Sequence, residues 1–376
     1  MTDAASASTD VLIVGAGIAG ASLAAQLAPY RRVMMIEAED VAGFHSTGRS
    51  AAFWQESYGG VRVQPLTAAS AQALASPDPG FSDRPFLSPR GAVVIGRSGE
   101  AQAVDAFVTD FGAQGVEVDR LTPAALEARV AGLRDGWTEA AWEPSCRDID
   151  VGGLHAAYLR AGRRAGASLG LRTPLVSARR GRDGWMVETG QGMIRAAVII
   201  NAAGAWADRV AERCGVAPIG IQPFRRTMVQ LRLGIPVPAS LPLVSHIGGA
   251  FYFKGEGEGR VWLSPHDETP SPPCDVAPEE MDVAVAIDRF QSVVDWPIAA
   301  VERKWAGLRS FAPDRLPVFG ADPHQRDFIW CAGQGGFGIQ TVPAISGLLA
   351  EQLGAPSPSA AIAAVDPAPF SPRRFA

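Results

Sequence analysis

A glycine-rich turn near the start of the chain constrains the fold more than any other part of the sequence. The run Asp10–Val14 is short, apolar and β-branched, which predicts a buried strand. The glycines of Gly15-Ala-Gly-Ile-Ala-Gly20 follow directly, and the Ala/Leu-rich run Ala21–Ala28 then predicts a helix that ends before Pro29. A second apolar run ends in an acid, Glu37, at about the distance of 20 residues that dinucleotide-binding folds show. The order strand, G-x-G-x-x-G, helix, strand and acid therefore predicts dinucleotide binding.

The three glycines of this turn and the acid that follows each have a physical task. Gly15 permits the tight turn, Gly17 lets the backbone approach a pyrophosphate, and Gly20 lets the helix pack on the sheet. The carboxylate of Glu37 can accept both ribose hydroxyls of an adenosine. We therefore expect a nucleotide to contact the turn and the residues beside these four, which are Ala16, Ile18, Ala19 and Ala38.

Composition and charge exclude several classes of protein. The chain has 376 residues, 47% of them hydrophobic, which is too apolar for a disordered protein. Its formal net charge of −5 gives no electrostatic basis for binding nucleic acid. All of the basic residues except Lys254 and Lys304 are arginines. Codon composition explains most of that bias, but individual arginines can bind carboxylates in a bidentate way that lysine cannot.

The termini and cysteines indicate a cytoplasmic protein without a metal site. Residues 1–10 contain no Lys or Arg, so they do not resemble a secretory signal. The uncharged run Val11–Ala28 is better explained by the glycine-rich turn than by a transmembrane segment. None of the four cysteines forms a CxxC pair, so neither a zinc site nor a redox dithiol is predicted.

The segment after Glu37 favours FAD over NAD. It reads Gly43-Phe-His-Ser-Thr-Gly-Arg-Ser-Ala-Ala-Phe53 and is rich in glycine and small polar residues, which can line a bulky cofactor with N–H groups and hydroxyls. A plain NAD fold would continue with regular βα units instead. No second strand–GxGxxG–helix unit occurs in the sequence, so a two-nucleotide reductase is not expected.

At this point the sequence resembles the FAD-dependent D-amino-acid oxidase superfamily, which includes glycine oxidases, sarcosine oxidases and D-amino-acid dehydrogenases. Within that superfamily it looks most like the D-arginine dehydrogenases, through His45–Ala52, Leu66–Ser70, Leu87–Arg90 and Ser371–Arg374. The superfamily motifs occur in the expected order along nearly the whole chain: Val11–Glu37, Phe44–Ala52, Asp148–Asp150 with Leu154, Asn201–Trp206, Trp305–Phe311, Pro313-Asp314, Pro317–Gly320 and Gly333–Gln340.

The resemblance implies a mixed α/β architecture in which two domains are interleaved. A Rossmann-like FAD-binding domain would comprise residues 1–55, 145–220 and 304–376. A substrate-binding domain, mainly one antiparallel sheet, would comprise 56–144 and 221–303. The sequence agrees locally, because Phe251–Lys254 and Arg260–Leu263 flank a glycine-rich turn and predict a hairpin.

The resemblance also implies which residues bind FAD. Beyond the turn and Glu37 with its neighbour, it implies the following residues: His45, Ser46, Thr47, Arg49, Ser50, Ala51, Ala52, Val176, Ala203, Gly204, Trp206, Gly307, Arg309, Gly335, Gly336, Phe337, Gly338, Ile339 and Gln340. The loop Gly333–Gln340 would aim N–H groups and a helix N-terminus at the flavin. No cysteine occurs from Arg309 to Gly320, where some members attach the flavin covalently, so we expect non-covalent FAD.

Five residues match positions that act on the substrate or on the flavin in this superfamily. Arg226 and Arg309 would grip a substrate carboxylate through charge-assisted hydrogen bonds, whereas Arg225 would point to the other face of its strand. Tyr252 would donate to the same carboxylate, and Tyr58 would lie on a mobile loop hinged at Gly59-Gly60. Gln340 completes the set near the flavin. Some oxidases place a lysine beside the flavin, but for Lys254 we expect a solvated strand end.

The sequence departs from the D-arginine dehydrogenase pattern where those enzymes bind a cationic side chain. Ala92 stands in place of their acid, and Phe53 and Gln55 replace a His and a Thr. Burying an unpaired cation would be costly. We therefore expect oxidative deamination of a D-amino acid with a neutral or apolar side chain to the 2-oxo acid, by hydride transfer from Cα to flavin N5.

Several alternatives remain open at the level of sequence. The chain could oxidise sarcosine- or glycine-type amines, or dehydrogenate a 2-hydroxy acid, because the arginines recognise only the carboxylate. A flavin-binding subunit without turnover would not need such a clamp. The electron acceptor could be oxygen or a quinone, and peripheral membrane association is compatible with the latter, although no basic amphipathic helix is visible.

Overall fold

Two large sheets and a set of helices make up the fold. The computed structural model describes residues 7–238 and 240–376, so residues 1–6 of the N-terminal stretch lie outside the description. The helices are α1 (Ile18–Leu27), α2 (Gln64–Ala75), α3 (Ala101–Gly112), α4 (Pro123–Glu127), α5 (Val151–Arg164), α6 (Ala207–Arg213), α7 (Glu280–Val293), α8 (Gly338–Gln352) and α9 (Ala360–Ala363).

The strands are short on average, with a few long ones. They are β1 (Ala7–Val14), β2 (Val33–Ile36), β3 (Phe53–Trp54), β4 (Leu87–Pro89), β5 (Ala92–Arg97), β6 (Asp119–Leu121), β7 (Trp137–Glu143), β8 (Arg147–Ile149), β9 (Ser168–Gly170), β10 (Leu175–Gly181), β11 (Gly184–Thr189), β12 (Gly192–Asn201), β13 (Gln222–Leu233), β14 (Leu243–His246), β15 (Tyr252–Gly255), β16 (Arg260–Ser264), β17 (Thr269–Pro270), β18 (Ile298–Phe311), β19 (Val318–Ala321), β20 (Phe328–Ala332) and β21 (Gln334–Gly335).

The first sheet is the predicted nucleotide-binding sheet. Strand β1 lies between β2 and β12, and it is parallel to both. Strand β9 extends the sheet beyond β2, whereas β20 pairs in parallel with the end of β12. Leu12 and Ile13 of β1 are fully buried, because a central parallel strand is covered by packed elements on both faces. Helices α1 and α8 cover one face of this sheet.

The second sheet is mainly antiparallel and carries the predicted substrate residues. Its order is β21-β18-β13-β16-β15-β14-β5-β7-β6, and β17 pairs with the edge of β13. Strands β15 and β16 form the predicted hairpin around Gly255–Gly259. The β13–β18 ladder is the longest in the sheet and runs from Gln222 opposite Phe311 to Leu233 opposite Ile298. A third sheet, β3-β8-β4, is small.

The strands of the first sheet lie in the predicted FAD-binding segments, and those of the second sheet lie in the predicted substrate-binding segments, with two exceptions. Strand β18 runs across the predicted boundary between residues 303 and 304, and β21 belongs to the second sheet although it lies in the predicted FAD segment. The division into two domains therefore stays a prediction, and the chain links the two sheets through β18. Among the described residues, no helix is both long and apolar enough to cross a membrane.

The contact between Gly20 and Gly15 yields a stability prediction. A Cβ at Gly20 would lie 1.9 Å from the carbonyl oxygen of Gly15, which is backbone and cannot yield easily. We expect Gly20→Ala to lower the free energy of unfolding by roughly 1–3 kcal/mol, because α1 must move away from the turn.

The matched control is Gly112→Ala at the end of α3, where a Cβ would meet no atom within 4 Å. This substitution should leave stability unchanged or raise it slightly, because Ala favours the helix. Denaturant unfolding of both variants measures the difference. Equal stability of the two variants would contradict the packing role of Gly20.

Candidate active site

A long cavity runs from the glycine-rich turn to the two predicted substrate arginines. At one end it is lined by the residues that follow β1, β2 and β12. At the other end it is lined by Arg226, Met228 and Tyr252 of the second sheet. It thus joins the predicted nucleotide turn to the predicted carboxylate clamp.

The turn after β1 has the shape that a nucleotide requires. Gly15 has a φ of +102°, and a Cβ there would lie 2.5 Å from the carbonyl oxygen of Ala202. A side chain at Gly17 would lie 3.2 Å from the hydroxyl of Thr47. That hydroxyl accepts from the N–H of Ile18 at 3.0 Å. Gly15 and Gly17 thus line the cavity without side chains, which close approach of a pyrophosphate to the turn requires.

Glu37 is held by the backbone at the same end of the cavity. The N–H of Ala16 donates to its Oε2 at 2.9 Å, and the N–H of Glu39 donates to its Oε1 at 3.1 Å. Beside it, His45 packs against Trp206 with ring centroids 4.5 Å apart and planes tilted by 46°, and it contacts the Glu39 carboxylate at 2.9 Å. Each carboxylate oxygen keeps lone pairs, so Glu37 can still accept ribose hydroxyls.

Most of the predicted FAD-binding residues line this cavity. They are Gly15, Gly17, Ile18, Ala19, Glu37, Ala38, His45, Ser46, Thr47, Arg49, Ser50, Ala51, Ala203, Gly204, Trp206, Gly307, Arg309, Gly335, Gly336, Gly338 and Ile339.

Six predicted residues do not line the cavity, each for a local reason. On β10 the alternation of the strand buries Leu175 beside the cavity and leaves Val176 47% exposed. The other five lie outside the cavity wall: Ala16 is within the turn, Gly20 packs under Gly15, Ala52 lines a separate cleft, Phe337 is in the core and Gln340 lies behind the Tyr58 turn.

The start of α8 faces the other end of the cavity. Gly338 and Ile339 line it, so the first turn of a 15-residue helix is directed there. A Cβ at Gly336 would lie 2.4 Å from the Tyr58 hydroxyl oxygen and 2.8 Å from Cζ of Arg309. Glycine at this position thus lets the helix start approach both side chains. The partial positive charge of the helix N-terminus suits a reduced flavin, which carries negative charge.

Arg226 and Arg309 lie on adjacent antiparallel strands and both line the cavity. Arg226 of β13 pairs with Gly307 of β18, two residues from Arg309. The neighbouring Arg225 points to the opposite face, where it forms ion pairs with Glu279 and Asp282. The strand alternation predicted for this pair of arginines is confirmed by these contacts.

The clamp carries positive charge that the protein only partly balances. The Nε of Arg226 donates to the carbonyl oxygen of Asp267 at 2.8 Å, whereas its Nη1 is buried without a hydrogen-bond partner among the described residues. Burial, together with the nearby charge of Arg309, lowers the pKa of Arg226 to about 10. No carboxylate of the described chain lies within 4.0 Å of the Arg309 guanidinium. An incoming carboxylate would relieve this repulsion and satisfy the free Nη1.

A cluster of aromatic and apolar residues lies beside the two arginines, and of its rings Tyr252 lines the cavity, whereas Phe53 and Tyr58 pack behind it. The ring of Tyr252 lies 5.9 Å from that of Phe53, which lies 5.1 Å from that of Tyr58. The Tyr252 hydroxyl donates to the sulfur of Met228 at 3.0 Å, a weak acceptor that a carboxylate would replace. These rings share a buried cluster with Ala92, Cys146 and Leu243.

Two residues have surroundings that the sequence did not predict. The side chain of Gln340 is 1% exposed and holds the backbone of the Tyr58 turn, instead of facing the cavity. Lys254 is not a solvated strand end: it is 5% exposed and pairs with Asp148 and Glu256, each at 2.9 Å. Together with Trp262 it lines a separate cleft, because β15 carries it beyond the end of the long cavity.

His266 is a candidate site residue that sequence reasoning missed. Its ring packs edge-on to Tyr252 with centroids 5.8 Å apart, and its Nδ1 contacts the carbonyl oxygen of Gly249. Burial lowers its pKa to about 3, and the charges of Arg226 and Arg309 act in the same direction. It has a φ of +55°, an uncommon conformation for a residue with a side chain. No local motif marks His266, because it reaches the site only through the fold of β16.

Known proteins of similar sequence and structure bear on the identity of this site. A glycine oxidase of Geobacillus kaustophilus is 27% identical over 357 residues, which cover 92% of each chain. The structure of L-proline dehydrogenase from P. horikoshii superposes with a TM-score of 0.84 at 21% identity, over 98% of each chain. The structure of a G. kaustophilus glycine oxidase gives a TM-score of 0.83 at 24% identity, over 97% of this chain and 98% of the other. At these identities the two structures show a common fold.

The superfamily resemblance is confirmed by these findings, whereas the narrower resemblance to D-arginine dehydrogenases is not. The sequence profile of the family described as DAO, FAD-dependent oxidoreductase, matches residues 10–352, which is most of the chain. The glycine cradle, Glu37 and the helix start at Gly338 fit the FAD that this family uses. The chain therefore belongs to the DAO family of FAD-dependent oxidoreductases.

Proposed function

We propose that this protein catalyses the oxidative deamination of a D-amino acid with a neutral or apolar side chain. The observation that carries the proposal is the pair of arginines at the end of the FAD cavity, with a buried unpartnered Nη1 on Arg226. No carboxylate among the described residues lies beside the Arg309 guanidinium. This arrangement favours a substrate that brings its own carboxylate. FAD, when bound, accepts the hydride equivalent from the substrate Cα.

The chain's own residues orient the substrate rather than attack it. Arg226 and Arg309 bind the carboxylate, and the Tyr252 hydroxyl turns from the Met228 sulfur to donate to it. Donors from three strands, β13, β15 and β18, fix the substrate at one end, so its Cα is presented in one orientation. The rings of Phe53 and Tyr58 pack behind Tyr252 and would help to keep water from the reacting carbon.

The state of the carboxylate nearest to Ala92 in the sheet supports a neutral side chain: Glu143 of the paired strand is already engaged by the turn Gln55–Ser57. Ala92 is fully buried within the cluster that contains Phe53 and Tyr252. The acids near the clamp, Asp267 and Glu268, are engaged on the opposite side by Thr227, Arg226 and Arg315. A guanidinium or ammonium on the substrate would therefore be buried without a partner.

A second candidate is oxidation of a small amine such as glycine or sarcosine. The glycine oxidase that covers 92% of this chain supports it directly. Glycine has the same carboxylate and needs the same clamp, so the arginines do not discriminate. The aromatic cluster does discriminate between the two candidates, because a substrate without a side chain would leave Phe53 and Tyr252 uncovered.

A substrate panel tests both candidates. The holoenzyme is mixed without oxygen with D-Leu, D-Met, D-Phe, D-Arg, their L-enantiomers, glycine, sarcosine and D-lactate, and bleaching of the flavin absorbance is followed. We expect the fastest bleaching with the neutral D-amino acids, with 2-oxo acid and ammonia as products. Faster reduction by glycine or sarcosine would establish the second candidate, and a higher kcat/KM for D-Arg than for D-Leu, D-Met and D-Phe would refute the proposed side-chain preference.

The clamp itself is tested by substituting two neighbouring arginines. Arg226→Lys removes the planar fork and the free Nη1, so we expect KM for the amino acid to rise by about 10- to 100-fold, since a charge-assisted bidentate contact is lost. Arg225→Lys, next to it but on the other face, keeps the positive charge that pairs with Glu279 and Asp282, so kcat/KM should stay within about twofold of wild type. Steady-state kinetics with loaded enzyme give both values, and equal effects of the two substitutions would rule out the clamp.

The low pKa of His266 yields a prediction for the pH profile. With a pKa of about 3, this imidazole is neutral at every pH above about 5. We expect kcat/KM to rise with pH as the substrate amine loses its proton, without an inflection near the ordinary imidazole pKa of about 6.5. The His266→Asn profile should have the same shape. An inflection near pH 6.5 that disappears in this variant would show that His266 titrates in the working range.

A further inference from the structure

A buried carboxylate without a counter-cation lies under the turn that carries Tyr58. Glu143, at the end of β7, is 1% exposed. No nitrogen of a Lys, Arg or His among the described residues lies within 4.0 Å of its carboxylate. Burying an unpaired anion costs several kcal/mol unless hydrogen bonds compensate it.

The compensation comes from the turn Gln55–Tyr58, to which nearly all of its donors belong. One oxygen of Glu143 accepts from Gln55 Nε2 at 2.9 Å and from Ser57 Oγ at 2.5 Å. The other oxygen accepts from the N–H groups of Glu56 at 2.9 Å and of Ser57 at 3.3 Å. A single carboxylate thus binds two side chains and two backbone donors of one turn.

Gln340 of α8 holds the same turn at its two ends. Its Oε1 accepts from the N–H of Gln55 at 3.1 Å, and its Nε2 donates to the carbonyl oxygen of Tyr58 at 3.0 Å. The turn is closed internally by the Tyr58 N–H, which donates to the Gln55 carbonyl oxygen at 3.1 Å. These bonds fix the backbone on both sides of Glu56 and Ser57.

The fixed turn presents Tyr58 to the clamp. The Arg309 guanidinium lies 5.8 Å from the centre of the Tyr58 ring. Exposure begins only after Tyr58, at Gly59 and Gly60, whose φ values of +103° and +85° turn the chain outward. Gly59 to Arg62 are exposed, so the solvent-accessible part of this loop starts beyond Tyr58.

We propose that Glu143 is a positioning residue: through the turn Gln55–Tyr58 it holds Tyr58 against Arg309, so that the carboxylate clamp is assembled before substrate binds. Gln340 assists from the opposite side of the turn. The kinetic part of this proposal rests on the proposed function, because it assumes a carboxylate substrate. Preassembly saves the ordering cost that substrate binding would otherwise meet.

The test compares Glu143→Gln with Glu139→Gln on the same strand. The second substitution is the same chemical change at a residue that pairs with Arg120 on the surface and is not part of the turn. Glu143→Gln replaces one acceptor oxygen by an N–H₂ donor opposite Gln55 and Ser57. We expect KM for the best amino acid to rise roughly tenfold with kcat changed less than about threefold, since binding and not the chemical step is affected. Glu139→Gln should leave both constants at wild-type values.

A second readout does not depend on turnover. Arg62 is the trypsin site of the exposed segment that follows the turn. Release of the turn should raise the rate of tryptic cleavage after Arg62 in the Glu143→Gln holoenzyme by about tenfold, because local opening exposes the backbone to the protease. The Glu139→Gln enzyme should be cleaved at the wild-type rate.

A milder variant covers the case in which Glu143→Gln does not fold. Ser57→Ala keeps the carboxylate and removes its shortest contact, and it should shift KM and tryptic cleavage in the same directions by a smaller factor. Unchanged KM and unchanged cleavage in folded, FAD-loaded variants would overturn the proposal. So would a lower Tm with both readouts unchanged, because Glu143 would then support only the fold.

The two readouts separate this proposal from the proposed function. If no amino acid or amine reduces the wild-type flavin, the proposed function fails, and tryptic cleavage alone decides whether Glu143 holds the turn. If substrate reduces the flavin but Glu143→Gln behaves as wild type in both readouts, only the positioning role fails.

Discussion

Electrostatic repulsion between the buried Arg226 and its half-buried neighbour Arg309 is the constraint to which much of the structure responds. The two residues lie on paired strands, and burial and the charge of Arg309 both disfavour the charged form of Arg226. The protein offsets this partly, through the Asp267 carbonyl group and the more distant Glu268 carboxylate at 3.4 Å from Arg226. Among the described residues, no carboxylate forms an ion pair with Arg309. A pair of guanidinium groups that is electrostatically incomplete gains most from an anionic ligand, which is the basis of the proposed carboxylate recognition.

The placement of the clamp depends on long-range strand pairing, which also decides what sequence could predict. The glycine-rich turn and its acid are local, since strand, turn and helix follow one another within 40 residues; their geometry was therefore predictable. The alternation of Arg225 and Arg226 followed from strand periodicity. Val176 was predicted to contact the cofactor, but its neighbour lines the cavity instead. A pleated strand sends successive side chains to opposite faces, and the register was not known.

Other features depend on contacts that no local pattern encodes. His266 reaches Tyr252 only after β16 has paired with β15. Lys254 is buried by Asp148, about 100 residues away in sequence, and by Glu256, two residues away. Gln340 was assigned to the flavin through its motif, yet its amide is used by backbone groups nearly 300 residues earlier. The sequence motif thus located the correct loop, whereas the direction of the side chain was decided by the unsatisfied polar groups around it.

Strand β18 has a further consequence for how this architecture can vary. Its 14 residues pair along the length of β13, and the same strand brings Gly307 and Arg309 to the cofactor cavity. The residues proposed to bind the cofactor and those proposed to bind the substrate therefore share one strand and are not exchangeable modules. A chimera that takes its substrate sheet from a relative would separate Arg226 from Arg309 unless β13 and β18 were transferred together. Recombination within this family is thus constrained by a hydrogen-bond ladder, and crossover points are tolerated best outside it.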